Sequence, residues 1–91
     1  MSKLVLVIRH KVQDYAKWRP AFDADLGRQE AAGLRNPVVY RSTDDGTDIV
    51  MRWDARDRKS AMDFLDSTEL REKMKQAGVL TAPEVFFQES P

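Results

Sequence analysis

His10 is the single histidine of the chain, and imidazole is the one side chain whose ordinary titration lies near neutral pH. It is therefore the first choice for a general base or acid. Asp14 follows within one helical turn, so that His10 could take a proton from an acidic phenol or an activated carbon while Asp14 orients the ring. A purely structural role fits the same residues, with the imidazole bonding a backbone group or Asp14 and fixing a strand-to-helix junction. Tyr15, Trp18, Phe22 and Phe64 fall on helical faces that should meet a sheet, and such an aromatic lining could grip a planar ring. The same spacing also serves an ordinary α+β core. Tyr40 and Arg41 on one strand-like run, with Arg52 beside Trp53 on another, could donate to a developing oxyanion. Alternation along a strand puts Arg52 and Trp53 on opposite faces, so the two cannot share a pocket. The arginines suit an interface or strand edge, whereas Tyr40 suits a pocket, since a buried phenol needs a partner.

Other chemistries lack their residues. Asp44-Asp45-Gly46-Thr47-Asp48 has no alternating ligand spacing of a calcium loop and carries its own turn chemistry. With one histidine and no cysteine, a zinc or haem site would need carboxylates from several elements, so neither a metal nor a cofactor is expected. The lack of cysteine also excludes a disulfide scaffold and a thiolate nucleophile. No glycine-rich phosphate loop follows a strand. Fifteen basic and fifteen acidic groups cancel, leaving no electrostatic footprint for nucleic acid. The longest apolar run, Leu4 to Ile8, is too short for a membrane span or a signal-peptide core. With 91 residues, 42% of them hydrophobic and 33% charged, residues 1–91 are expected to form one cytoplasmic domain that gains by burying surface in an oligomer.

The elements that must position these residues follow from periodicity. Lys3 to Val12 is rich in Leu, Val and Ile and predicts a strand whose apolar side chains fill both faces. Asp14 is a good N-cap, and Tyr15, Trp18, Phe22 and Leu26 then form one stripe of a helix reaching about Ala32 and ending at Gly33. Pro20 should kink that helix or start its main part. Pro37 to Ser42 and Asp48 to Asp54 predict a hairpin across the Asp45-Gly46 turn. A second helix capped by Asp57 carries Ala61, Phe64 and Leu65 inward, pauses near Ser67 and restarts with Asp66 and Glu69 as a capping pair. Leu70, Met74 and Ala77 continue its apolar face to Gly78, and after Pro83 the segment Glu84 to Glu89 is a last strand.

Strand, helix, strand, strand, helix, strand is the ferredoxin-like βαββαβ order, an α+β fold with a four-stranded antiparallel sheet. Right-handed crossovers place both helices on one face. Yet Leu4-Val5-Leu6-Val7-Ile8, Ile49-Val50-Met51 and Val85-Phe86-Phe87 do not alternate, so both faces of the sheet require burial. Two helices cover one face only, and a second copy of the sheet should cover the other in a two-fold homodimer.

The stretch His10-Lys11-Val12-Gln13-Asp14-Tyr15-Ala16-Lys17-Trp18-Arg19-Pro20-Ala21-Phe22-Asp23 resembles the opening of small proteins related to the antibiotic-biosynthesis monooxygenases. The resemblance continues through Tyr40-Arg41, Trp53-Asp54, Ala61 with Phe64, and Ser67-Thr68-Glu69-Leu70-Arg71, and it ends with Pro83 and Phe87. It implies a dimeric α+β barrel, in agreement with the element order. Haem-degrading relatives share a histidine on a helix, whereas the histidine here ends a strand, so haem degradation is not expected. The resemblance implies a small-molecule-binding protein, a cofactor-independent monooxygenase or isomerase acting on an aromatic or polyketide-like compound. Its pocket would be lined by Trp18, Phe22, Tyr40 and Phe64, with His10 and Asp14 as the catalytic pair. The alternative is a non-catalytic ligand-sensing or assembly module whose aromatics are all core.

Overall fold

The computed structural model describes residues 2–91. Strand β1 (Lys3–Lys11) leads into helices α1 (Tyr15–Ala24) and α2 (Leu26–Ala31), then β2 (Leu34–Arg41) and β3 (Asp48–Ala55). Helices α3 (Arg58–Leu65) and α4 (Thr68–Gln76) precede β4 (Glu84–Ser90). The strands form one antiparallel sheet in the order β2-β3-β1-β4, the ferredoxin-like arrangement.

Alternation along β1 sends Leu6, Ile8, His10 and Val12 to one face, and β3 adds Ile49, Met51 and Trp53. Helix residues Trp18, Phe22, Ala61 and Ala77 pack on that face to complete the core. The opposite face presents Val5 and Val7 of β1, Val38 and Tyr40 of β2, Val50 of β3 and Phe86 of β4, as the strand registers place them. No helix lies over these side chains. Tyr40 and Phe86 are 51% and 49% exposed. Arg9 clasps Asp48 at 2.7 and 3.0 Å and Lys3 lies beside Asp54 at 3.6 Å, while Arg52 stands between Val7 and Val38.

Several boundaries differ from the sequence expectation. Helix α1 runs unbroken through Pro20, because Pro20 and Ala16 are both exposed and water reaches the carbonyl that proline leaves unpaired. The interruption falls instead at Asp25, whose N–H bonds the Phe22 carbonyl at 3.1 Å. The buried stripe keeps its helical spacing across the break. Trp18, Phe22, Asp25 and Gln29 point inward, and Leu26 is 39% exposed. Strand β2 begins at Leu34 rather than Pro37, with a bulge between Arg35 and Val38. Asn36 takes the left-handed conformation there, at φ 55°, and donates to Asp54 at 2.8 Å. Proline is tolerated beside it because β2 is an edge strand. Helix α4 is capped by Ser67, which accepts from the Leu70 N–H, rather than by Asp66. Asp57 caps α3 as expected, accepting from the Ser60 N–H. Gly33 at φ 82° and Gly78 at φ 85° supply the left-handed turns that return the chain to the sheet after α2 and α4.

Candidate functional site

A cavity of about 460 Å³ opens between the helices and the covered face of the sheet. That volume lies within the roughly 300–1,000 Å³ of small-molecule sites. Its floor is Ile8, His10, Met51 and Trp53 from β1 and β3, and Val85 of β4 stands at the edge. Trp18 and Phe22 of α1 form one wall, and Met62, Phe64 and Met74 of α3 and α4 form the other. The polar side chains on the lining include Asp25, Gln29, Asp66, Arg71 and Lys73.

His10 reaches the floor because it shares the register of Leu6 and Ile8 on β1. The residue is 4% exposed, and its Nδ1 has no hydrogen-bond partner among the described residues. The edge of the ring meets Trp18 at 5.6 Å and 78°. Burial pushes the imidazole below its ordinary titration range, since a charged ring loses hydration there. At neutral pH the ring is thus uncharged and able to accept a proton. From Trp18 a row of rings continues to Phe22 at 5.0 Å and on to Trp53 at 6.0 Å.

Beyond that row lies a second polar group. Gln29, 4% exposed, accepts from the Trp53 indole N–H at 3.0 Å and donates to the Phe22 carbonyl at 3.4 Å. These bonds fix the indole against the sheet. Asp25, 6% exposed, faces Lys73 Nζ of α4 at 3.4 Å and Arg28 Nε at 3.7 Å, which ties the end of the first helical layer to the last helix.

No protein-family model and no curated protein sequence matches the chain. Solved structures do. A candidate antibiotic biosynthesis monooxygenase of Bordetella bronchiseptica superposes with a TM-score of 0.79 at 17% identity, covering 97% of this chain and 96% of that one. A monooxygenase of Streptomyces coelicolor in complex with nanaomycin D gives 0.67 at 21% identity, over 98% and 88% of the two chains. A cofactor-independent oxygenase of Streptomyces nogalater gives 0.64 at 18%, over 92% and 90%. The chain has the fold of the antibiotic biosynthesis monooxygenase-like proteins.

Within this monooxygenase-like fold, the structure brings His10, Trp18, Phe22 and Phe64 to one cavity. Asp14 and Tyr40 lie elsewhere. The Asp14 carboxylate accepts from the Ala16 N–H at 2.9 Å and caps α1. Tyr40 sits on the uncovered face in register with Val50, beside a shallow depression shared with Arg9 and Asp48. Arg41 stacks over the Tyr15 ring at 4.1 Å, and Arg52 is exposed on the uncovered side, so these donors do not converge on the cavity. Asp25, Gln29 and Lys73 escaped the sequence reading. Their signal was the spacing of Trp18, Phe22, Asp25 and Gln29, which continues a helical stripe as well as Leu26 does. Among the described residues no cluster of three or more His, Cys, Asp and Glu side chains is placed to hold a metal ion. No described helix is long and apolar enough to cross a membrane.

Proposed function

We propose that this protein binds a planar aromatic small molecule in the cavity beneath α1 and α3, and that His10 acts on it as a base in a cofactor-independent oxygenation or isomerisation. One observation carries the reading: a buried, uncharged imidazole with an unpartnered Nδ1 on the floor of an aromatic-walled cavity. Buried polar atoms normally have partners, and an exception in a cavity marks the place where a ligand supplies one. His10 would take the hydroxyl proton of a hydroxyaromatic ligand, leaving an electron-rich anion for reaction with dioxygen or for rearrangement. Trp18, Phe22 and Phe64 would hold the ring by edge and face contacts. Asp14 serves as the cap that starts α1 and so aims Trp18 and Phe22. The same-fold proteins of Streptomyces, one with nanaomycin D and one a cofactor-independent oxygenase, support this direction.

The uncovered face supports a second element of the proposal, a homodimer. Its patch of Val5, Val7, Val38, Val50, Tyr40 and Phe86, with Arg52 among them and the pairs Arg9–Asp48 and Lys3–Asp54 at the rim, suits the same face of a second copy, as in stacked sheets. This face also favours the plainer alternative, a non-catalytic assembly or ligand-sensing module.

Both tryptophans, Trp18 and Trp53, line the cavity, so ligand entry is readable as fluorescence quenching. Titration with 1,4-dihydroxynaphthalene under air, with oxygen uptake followed in parallel, tests the assignment. Saturable quenching with oxygen uptake that His10→Ala lowers about a hundredfold or more is the expected result, in line with the usual contribution of a general base. Quenching with uptake that His10→Ala leaves unchanged would establish a binding module. No quenching at all would remove the ligand reading.

A further inference from the structure

Asp25 stands where α2 begins, yet its carboxylate makes no side-chain capping bond. It is turned instead to the cavity lining and is 6% exposed. The one hydrogen bond it accepts among the described residues comes from Lys73 Nζ at 3.4 Å. Arg28 Nε lies 3.7 Å away, and Arg28 Nη1, 2.9 Å from the Glu69 carboxylate, is buried without a hydrogen bond among the described residues. A carboxylate has room for about four hydrogen bonds, so one that holds a single long bond and faces two cations keeps acceptor capacity toward the cavity. Gln29 beside it is already committed to Trp53 and Phe22.

The placement of this group matters as much as its state. From His10 the ring contacts run to Trp18, to Phe22 and to Trp53, whose indole is bonded to Gln29. Asp25 lies past Phe22, its own N–H bonded to the Phe22 carbonyl. The cavity thus has an unpartnered imidazole nitrogen at one end and, across an aromatic wall, a carboxylate with one 3.4 Å hydrogen bond and two cations nearby. We propose that Asp25 is a specificity-determining residue of this cavity, accepting a hydrogen bond from a hydroxyl at the far end of a planar ligand whose near end meets His10. Lys73 steadies the carboxylate. The inference rests on the ligand reading above and adds a requirement to it, since the ligand must carry hydrogen-bond donors at both ends. A methyl ether at the far end has no proton to give, and a carboxylate there would face Asp25 with like charge.

The test compares 2,6-dihydroxynaphthalene with 6-methoxy-2-naphthol by tryptophan quenching on the intact protein. The diol satisfies both groups at once, whereas the mono-ether satisfies one in either orientation. Wild type is expected to bind the diol roughly tenfold more tightly, the value of one hydrogen bond to a charged acceptor. Asp25→Leu should bring the ratio close to one, and the isosteric Asp25→Asn, which keeps a weaker neutral acceptor, should lower it part of the way. His10→Ala should also bring the ratio close to one, because either orientation then offers a single acceptor. A merely structural role for Asp25 would weaken both probes alike and leave the ratio intact, which would overturn the proposal. Binding by wild type without preference would overturn it too while leaving the ligand reading in place. Failure of both probes to bind would remove the ligand reading and this inference with it.

Discussion

On the covered face of the sheet His10 is 4% exposed with its Nδ1 unpartnered, whereas its neighbour Arg9, on the opposite face, holds Asp48 through two bonds at 2.7 and 3.0 Å. Both faces draw on the same strands and both have apolar centres. They differ in how their polar groups are supplied. At its rim the uncovered face pairs Arg9 with Asp48 and Lys3 with Asp54, while Arg52, in register with Val7 and Val38, stays in solvent with no ion-pair partner among the described residues. The covered face leaves the His10 Nδ1 without a partner and gives the Asp25 carboxylate one long hydrogen bond around a cavity, as a site must if a ligand is to complete it. Apolar content alone would not have separated an interface from a pocket, and the satisfaction of polar atoms does.

The largest effect expected from this contrast is in stability. Leu6 and Val7 are adjacent in β1, but Leu6 is fully buried under the helices and Val7 belongs to the uncovered face. Leu6→Ala should cost about 3 kcal/mol in urea unfolding at any protein concentration. Val7→Asp should act through association, abolishing the rise of the wild-type melting midpoint with concentration that a dimer requires. A wild-type midpoint independent of concentration, with a sedimentation mass of one chain, would break the interface half of the comparison.

A smaller effect isolates the cavity side. Gln29→Leu leaves the Trp53 indole N–H without its 3.0 Å acceptor, and a buried donor so stranded costs roughly 1–3 kcal/mol. Trp53→Phe in the same background removes the stranded donor. The double variant should therefore be more stable than the sum of the single changes implies, as a thermal double-mutant cycle would show. Strict additivity would mean that the bond to Gln29 does not anchor the indole.

Much of this arrangement was legible in the sequence. The order of elements, the Asp45-Gly46 hairpin, whose Asp45 carboxylate accepts from Thr47, and the two-sided apolar strands follow from periodicity and turn chemistry, which are local properties. His10, Trp18, Phe22 and Phe64 were also legible as a group, because strand alternation and helical spacing decide which way each points. What escaped depended on tertiary context. After Trp18 and Phe22 helical spacing allows either Asp25 or Leu26 on the inward stripe, and packing on the sheet selects Asp25. A buried carboxylate contradicts the hydropathy pattern, so only packing reveals it. Tyr40 fell outside the cavity for another reason: its residue type suggested a pocket, whereas its register with Val50 puts it on the uncovered face.

Because His10 is the single histidine, its imidazole resonances can be followed through a pH titration without assignment ambiguity. Burial, outweighing a hydrogen bond with its own backbone, predicts half-protonation below the ordinary value of 6.5. By linkage, its contribution to stability is complete above pH 6.5 and is lost as the pH falls through the lower folded-state value. Saturation with 2,6-dihydroxynaphthalene should then shift the Nδ1 resonance and change the titration, as the ligand hydroxyl takes up the free nitrogen. A His10 that titrates at its ordinary value and whose Nδ1 is indifferent to the diol would contradict the central claim that this imidazole awaits a ligand.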